Sequence, residues 1–239
     1  MDKKTALVTG AGAGIGQGIA LELAAKGYKV YANARSEESV KETLEKGHGR
    51  GLEILPLLFD VSVQSQVRDK ISSLERIDCL VNNAAISFLR TIEDTTEEDW
   101  DVVLNTNVKG YFFCSKYALP KMGRGSSIIN LSSGAAKTGG AIVSIAYSAS
   151  KGAINTMTLS FATRLASQGI RVNAISPGFV DTKMLAVNDT PLDYYKSVIP
   201  LGFLGTVEDI AALAYYLASD CSRYMTGQII EINGGDIMG

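Results

Sequence analysis

The stretch Thr5-Ala6-Leu7-Val8-Thr9-Gly10-Ala11-Gly12-Ala13-Gly14-Ile15-Gly16 decides the fold. Thr5–Thr9 is a short, β-branched and apolar run, the pattern of a buried strand. A glycine-rich turn follows it. Ile15–Lys26 then places apolar residues at helical period and stops at Gly27. Strand, glycine turn and helix in this order make the place where an open α/β sheet receives a dinucleotide. Glycine is needed there for physical reasons. The chain turns sharply, a pyrophosphate must come close to the backbone, and the helix N-terminus must face the anion. The glycines alone would indicate only a tight turn; the strand before and the helix after make the turn a candidate nucleotide site.

Outward from this unit the same rhythm repeats. Tyr28–Asn33 reads as a second strand, and Ser36 caps a helix to about Lys46, with Glu37 and Glu38 in its first turn. Glu53–Phe59, Asp78–Val81, Ser126–Leu131, Ile170–Ile175 and Gln228–Ile232 read as further strands. Val63–Leu74, Glu97–Met122, Tyr147–Ser167 and Val207–Ala218 read as helices. Alternation of this kind predicts a Rossmann-type, doubly wound α/β fold: a mostly parallel seven-stranded sheet with helices on both faces. No linker or composition break divides the chain, so residues 1–239 are expected to form one domain. Asp181–Gly205 is irregular and too long for an ordinary connection, which suits a substrate loop or lid.

Composition narrows the function classes. The 239 residues are 46% hydrophobic and 20% charged, with a net charge of −2. No broad basic surface invites nucleic acid. No run approaches the roughly 18 apolar residues of a membrane span. The start, MDKKTALVTG, has no apolar segment with a cleavage site, and a cytoplasmic protein is expected. Cys79, Cys114 and Cys221 match no metal spacing and read as small buried hydrophobes in a reducing compartment. His48, the only histidine, lies in a polar, glycine-rich stretch and reads as a solvated loop residue. No metal site is expected.

The glycine spacing departs from the common G-x-G-x-x-G. It is T-G-x-x-x-G-x-G, with Gly10, Gly14 and Gly16. Further motifs follow in order: Asp60-Val61 after strand three, Asn82-Asn83-Ala84-Ala85 after strand four, Asn107 in the long helix, Ser132-Ser133 after strand five, Tyr147-x-x-x-Lys151 opening the next helix, and Pro177-Gly178 after strand six. The set resembles the short-chain dehydrogenase/reductase family over nearly the whole chain. The resemblance implies a cofactor site of Gly10, Gly14, Ile15, Gly16, Asp60, Val61, Asn82, Ala84, Pro177, Gly178, Val180 and Thr182. In it, Asp60 would meet the adenine amino group, Asn82 would lie near a ribose, and Val180 and Thr182 would meet the nicotinamide carboxamide. It also implies a homotetramer or homodimer. Ala85 stands where the family usually has glycine.

The end of strand two selects the dinucleotide. A carboxylate there, about 20 residues after the glycines, selects NAD, whereas arginine pairs with the 2′-phosphate of NADP. Here the run is Tyr31-Ala32-Asn33-Ala34-Arg35-Ser36. Arg35 can bind phosphate in bidentate fashion and Ser36 can add a hydrogen bond, which favours NADP(H) over NAD(H). Against this stand Ala13, where many NADP-using relatives carry a basic residue, and the acids Glu37 and Glu38.

Tyr147 and Lys151 are four apart on a predicted helix and share a face. Tyrosine titrates near about 10, and bringing it to about 7 takes roughly 4 kcal/mol. One ammonium about 4 Å away supplies roughly that at an effective dielectric near 20. Tyr147 is therefore expected to act as general acid and base on a ketone or alcohol, tuned by Lys151. The resemblance adds that Lys151 also holds the nicotinamide ribose, that Ser133 donates to the carbonyl oxygen, and that Asn107 bends its helix and holds a water on a proton relay. Ser132 should point away from Ser133 by strand alternation. The interval from Ser133 to Tyr147 exceeds the usual one by one residue, so a bulge is expected there.

Other classes fit less well. A hydrolase would need G-x-S-x-G with a histidine, and neither is in place. A non-catalytic dinucleotide sensor on the same fold stays open, as does an NAD-dependent alcohol, sugar or steroid dehydrogenase of the same family. Within the enzyme reading, length and motifs resemble 3-oxoacyl-carrier-protein reductases. Their acidic carriers call for basic residues near the site, and Arg124 is a candidate, although Gln168 stands where those reductases often have arginine. Met184–Phe203 has Lys196 as its only basic residue and is otherwise apolar and aromatic, which suits an apolar ketone.

Overall fold

Strand β1 (Thr5–Val8) is buried along its whole length, and its side chains sort by alternation. Ala6 and Val8 join one apolar cluster and Leu7 the other, so β1 lies between two cores. The structure is a computed structural model describing residues 3–140, 143–182, 185 and 191–238. Strands β2 (Lys29–Ala34), β3 (Ile54–Leu58), β4 (Cys79–Asn82), β5 (Ser127–Leu131), β6 (Arg171–Pro177) and β7 (Ile229–Ile232) complete a seven-stranded sheet in the order β3-β2-β1-β4-β5-β6-β7. Every pairing is parallel. The fold class read from the sequence is thus the observed one: a Rossmann-like single domain.

Helices cover both faces, as parallel strands buried on both sides require. On one side Ile19 and Leu23 of α1 (Gly14–Ala25), Val40 of α2 (Glu37–His48) and Ile210 and Leu217 of α9 (Val207–Ala218) meet Ala6, Val8 and Val30. On the other, Ile71 of α3 (Gln64–Ser72), Cys114 of α5 (Gly110–Ala118) and Leu165 of α7 (Ile145–Leu165) meet Leu7, Leu80 and Ile128. α4 (Glu97–Leu104) leads into α5, and a short α6 (Ala135–Thr138) follows β5.

Helix starts follow their caps. Ser36, Thr96 and Thr206 each accept from the backbone three residues on, and Ser39, Asp99 and Asp209 return the bond to the cap backbone. The expected single helix Glu97–Met122 is instead interrupted. Asn105–Lys109 form one π-helical turn between α4 and α5, and Leu119–Lys121 end the run as a 3₁₀ turn. Asp181–Gly205 is not irregular throughout. It contains α8 (Leu192–Val198), and Val180 bridges to Gly205. Residues 183, 184 and 186–190 of the expected lid, and 141 and 142 of the expected bulge before Tyr147, lie outside the described residues.

Two smaller expectations need correction. Cys221 is exposed, unlike buried Cys79 and Cys114. His48 is exposed as expected but closes α2 in its basic last turn, so it is not a loop residue. Among the described residues no helix is long and apolar enough to cross a membrane, and no cluster of metal ligands occurs.

Candidate active site

Strand order reverses between β1 and β4, because the chain adds β2 and β3 on one side of β1 and β4 to β7 on the other. Loops leaving the carboxyl ends of β1 and β4 therefore part, and a crevice opens between them. Thr9 ties its walls. Its hydroxyl donates to the Val81 carbonyl (3.3 Å) and accepts from the backbone N–H groups of Asn83 (2.9 Å) and Ala84 (3.1 Å). Asn83 answers by donating through Nδ2 to the carbonyls of Thr9 (2.9 Å) and Gly10 (3.1 Å). Asn33 at the end of β2 is buried; its Oδ1 accepts from Gly10 N–H (3.3 Å) and its carbonyl from Ala11 N–H (2.8 Å). Two asparagines thus hold the glycine turn from both sides.

Glycine is obligatory at Gly10, where φ is +63° and a Cβ would stand 2.7 Å from the Ala84 Cα. At Gly16 a Cβ would collide with the Gly10 carbonyl and the Asn83 amide. A cleft of about 520 Å³ lies over this turn. Gly10, Gly14, Ile15, Gly16, Arg35, Asp60, Val61 and Ala84 all line it, as expected. α1 starts beneath it with no side-chain cap and no acid in its first turn, unlike α2, α4 and α9. A dinucleotide fits such a wall: side-chain-free backbone for a pyrophosphate, an uncapped helix end, and the exposed Arg35 guanidinium, which makes no hydrogen bond or ion pair with a described residue.

Two residues expected at the cofactor, Asn82 and Ser36, do not line the cleft. Asn82 is the last residue of β4, fully buried, and its Nδ2 donates to Ser115 (3.0 Å) and Asn130 (2.9 Å) inside the sheet. Alternation turns the next residue, Asn83, to the cleft instead. Ser36 does not line it either, because its hydroxyl is spent on Ser39 in the α2 cap, and Ser39 takes its place on the wall. Asp60 is on the wall; its Oδ1 accepts from the Ser62 N–H (2.8 Å) and hydroxyl (2.7 Å), and its Oδ2 makes no hydrogen bond with a described residue.

A second cavity of about 470 Å³ adjoins the first, and Ile15, Asn83, Ala85 and Thr182 line both. Pro177, Gly178 and Val180 line it as well. β5 delivers Ser133 to its wall and α7 delivers Tyr147 and Lys151. Ser144 caps α7 by accepting from the Tyr147 N–H (3.2 Å), which sets the tyrosine in the first turn. The Ser133 and Tyr147 side chains share this wall, and the Ser133 hydroxyl accepts from the Ala135 N–H (3.2 Å). Ser132 points the other way and donates to Asn155 Oδ1 (2.6 Å).

Lys151 is buried, and its Nζ donates to the Leu131 carbonyl (2.6 Å). It lies 5.5 Å from the ring centres of both Tyr147 and Tyr111. The expectation that this ammonium brings Tyr147 down to about 7 fails here. Burial pushes the Tyr147 phenol up, and the neighbouring Ser133 side chain only partly opposes it. Burial also pulls the Lys151 amine down to about 7. Both effects favour a neutral pair. Tyr111, whose hydroxyl donates to the same Leu131 carbonyl (3.3 Å), was missed because in α5 it reads as one more core aromatic.

Asn107 sits in the π turn, fully buried. Its Oδ1 accepts from the Ile86 N–H (2.9 Å), and its Nδ2 donates to the Ile86 carbonyl (3.0 Å) and to Ser150 Oγ (3.0 Å). Ser150 in turn donates to the Tyr147 carbonyl (2.6 Å). Both amide hydrogens are therefore occupied, and a side-chain N–H of Asn107 is not free to hold a relay water. Arg124 stands before β5, at the sheet end opposite the cavity, and packs over Gly169. It lines neither cavity.

Comparison with known proteins agrees with this geometry. A family model described as Enoyl-(Acyl carrier protein) reductase matches residues 10–236. A 3-oxoacyl-[acyl-carrier-protein] reductase of Staphylococcus aureus is 40% identical over 245 residues, covering 98% of each chain. A short chain dehydrogenase from Burkholderia cenocepacia, solved in complex with NADP, superposes with a TM-score of 0.92 at 30% identity, over 98% of this chain and 97% of that one. A blue fluorescent protein from a metagenomic library, in complex with NADPH, gives 0.92 at 31% identity over 98% of both.

Proposed function

The chain belongs to the short-chain dehydrogenase/reductase family, and from that premise we propose that it is an NADP(H)-dependent reductase of a small ketone in which Tyr147 is the general acid and base. The family fixes the coarser statement: an oxidoreductase acting on CH–OH or ketone groups with NAD(P). One observation carries the finer one. Ser133, Tyr147 and Lys151 line one cavity that adjoins the nucleotide cleft, with Lys151 one helical turn on from Tyr147.

Reduced nicotinamide supplies a hydride to the carbonyl carbon when bound. Ser133 donates a hydrogen bond to the carbonyl oxygen, where negative charge develops. Tyr147 gives its phenolic proton to the same oxygen. Burial keeps that phenol protonated at neutral pH, which is the form reduction requires. Lys151 Nζ is buried one turn away, and in its protonated form it stabilises the phenolate left when Tyr147 gives up its proton. Asn107 is a positioning residue, joining Ile86 to the turn of α7 that carries Tyr147. Arg35 favours NADP by offering an unpaired guanidinium to a 2′-phosphate. Residues 181–205 act as the substrate loop, and the enzyme assembles as a homotetramer or homodimer. Carrier-protein-bound 3-oxoacyl substrates are a second reading, favoured by the names of the relatives. The placement of Arg124 away from the cavity weighs against it.

The test is loss of reduced-nicotinamide absorbance across a panel of ketones. Tyr147→Phe should lower kcat by about 10²–10⁴-fold while NADPH still binds. In the same assay Arg35→Ala should weaken NADPH by roughly 10- to 100-fold and NADH far less. Binding without turnover across the panel, or turnover indifferent to Tyr147→Phe, would leave a dinucleotide sensor or another mechanism. Equal losses for both nucleotides would remove Arg35 from the selection.

A further inference from the structure

We infer that Asp236 selects the substrate, and that the ketone carries a hydrogen-bond donor, a hydroxyl or an ammonium, besides its carbonyl; this rests on the function proposed above. Asp236 belongs to the segment that follows β7, and Asn233 folds that segment back on itself. Asn233 Oδ1 accepts from the Gly235 N–H (3.0 Å), its carbonyl accepts from the Asp236 N–H (3.2 Å), and its Nδ2 donates to the Ile237 carbonyl (2.9 Å). The turn is wedged against the catalytic wall on both sides of Asp236. A Cβ on Gly178 would stand 2.6 Å from Asn233 Cβ, and one on Gly134, beside Ser133, would stand 2.7 Å from Ile237 Cδ1. Asp236 is thereby held on the lining of the cavity that contains Ser133 and Tyr147.

A carboxylate is out of keeping with that lining. Phe179, Leu185, Tyr195 and Val198 make it largely apolar and aromatic. The one other charged residue on it among the described residues, Lys151, is bound to the Leu131 carbonyl. The Asp236 carboxyl makes no ion pair or hydrogen bond with a described residue, and burial raises its pKa. A polar group half removed from water costs free energy unless it is paired. An alkyl tail closing over Asp236 would complete the desolvation and supply nothing. A carboxylate tail would add repulsion. A hydroxyl or ammonium supplies the missing donor, and the bond is charge-assisted.

The experiment uses four matched ketones of one chain length, ending in methyl, hydroxyl, ammonium and carboxylate. Their affinities are read by calorimetry on the protein saturated with cofactor, and their kcat/KM by cofactor consumption. The wild type should prefer the ammonium and hydroxyl ketones to the methyl one by about 10-fold or more, with the carboxylate weakest. Asp236→Asn should cut the ammonium-to-methyl ratio about 10-fold and raise the carboxylate-to-methyl ratio. Asp236→Ala should also remove the hydroxyl preference. An order unchanged in both variants, or a wild type that binds the methyl ketone best, would overturn the inference. Calorimetry needs no turnover, so a failure of Tyr147-dependent reduction would sink the proposed chemistry and leave the binding order to judge Asp236.

Discussion

Burial sets the protonation of Tyr147 and Lys151 in opposite senses, and the two have different consequences for stability. Lys151 is drawn from the ordinary lysine range down to about 7. Between about pH 7 and pH 10 the unfolded chain holds a proton on this amine that the folded chain has released. Stability contributed by the group therefore rises as pH climbs through that window, and the full penalty stands below it. Tyr147 is shifted upward, so its contribution is lost as pH climbs past the ordinary tyrosine range near about 10. Cofactor-free wild type should gain stability relative to Lys151→Met between about pH 7 and pH 10, measured by urea unfolding. A difference that is flat across this window would mean that Lys151 keeps its charge in the folded protein. The family spacing put these residues on one helical face; it carried no information on the Leu131 carbonyl, which draws Nζ to itself. Nor did it carry the burial of the Tyr147 phenol, which raises its pKa instead of lowering it.

At the scale of elements, the one-residue excess of the π turn does most to shape the site. A straight helix from Glu97 would continue its ladder through Asn107; the bulge at Asn105–Lys109 instead places the Asn107 amide between Ile86 and Ser150. Asn107→Ala would leave the part-buried Ile86 N–H and carbonyl without these partners, at a cost of up to about 1–3 kcal/mol for such groups. We expect a lower Tm. We also expect a fall in kcat with a displaced pH profile, because the Ser150–Tyr147 turn loses its anchor. A lower Tm with an unmoved pH profile would make Asn107 structural only. The sequence carried the helix starts well, since Ser36, Thr96 and Thr206 cap by local chemistry. It carried the strands well because buried parallel strands are short apolar runs. The apolar period did not carry the π turn, since one inserted residue hardly disturbs it; only the bend that the resemblance implied at Asn107 pointed there. Nor did it carry α8, whose seven residues span only two turns. The Asn82 and Ser36 readings failed at element ends, where one residue decides which way a side chain faces or whether its hydroxyl is already spent on a cap.

For the molecule as a whole, the two cores explain most of the apolar sequence but not all of it. The stretch Tyr111–Leu119 divides: Tyr111, Cys114 and Ala118 enter the core, while Phe112 stays 42% exposed and stacks on Phe161 of α7 at 6.1 Å. Leu159 and Ile145 on the same helix are 50% and 48% exposed. The sheet has no further use for these side chains, since α5 and α7 already cover its face with their inner residues. Scattered exposed apolar residues are ordinary; an aromatic stack left open beside further exposed apolar residues of the same helices is the composition of an interface core. The proposed homotetramer or homodimer would bury them. Phe112→Asp sets a charge in that patch, whereas in a monomer this position would meet only water and the rings of Phe113 and Phe161. We expect the wild type to sediment as a dimer or tetramer and Phe112→Asp to sediment as a smaller species, with unchanged far-UV circular dichroism. A wild type that sediments as a monomer would refute the assembly. An unaltered oligomer of the variant would move the interface off α5.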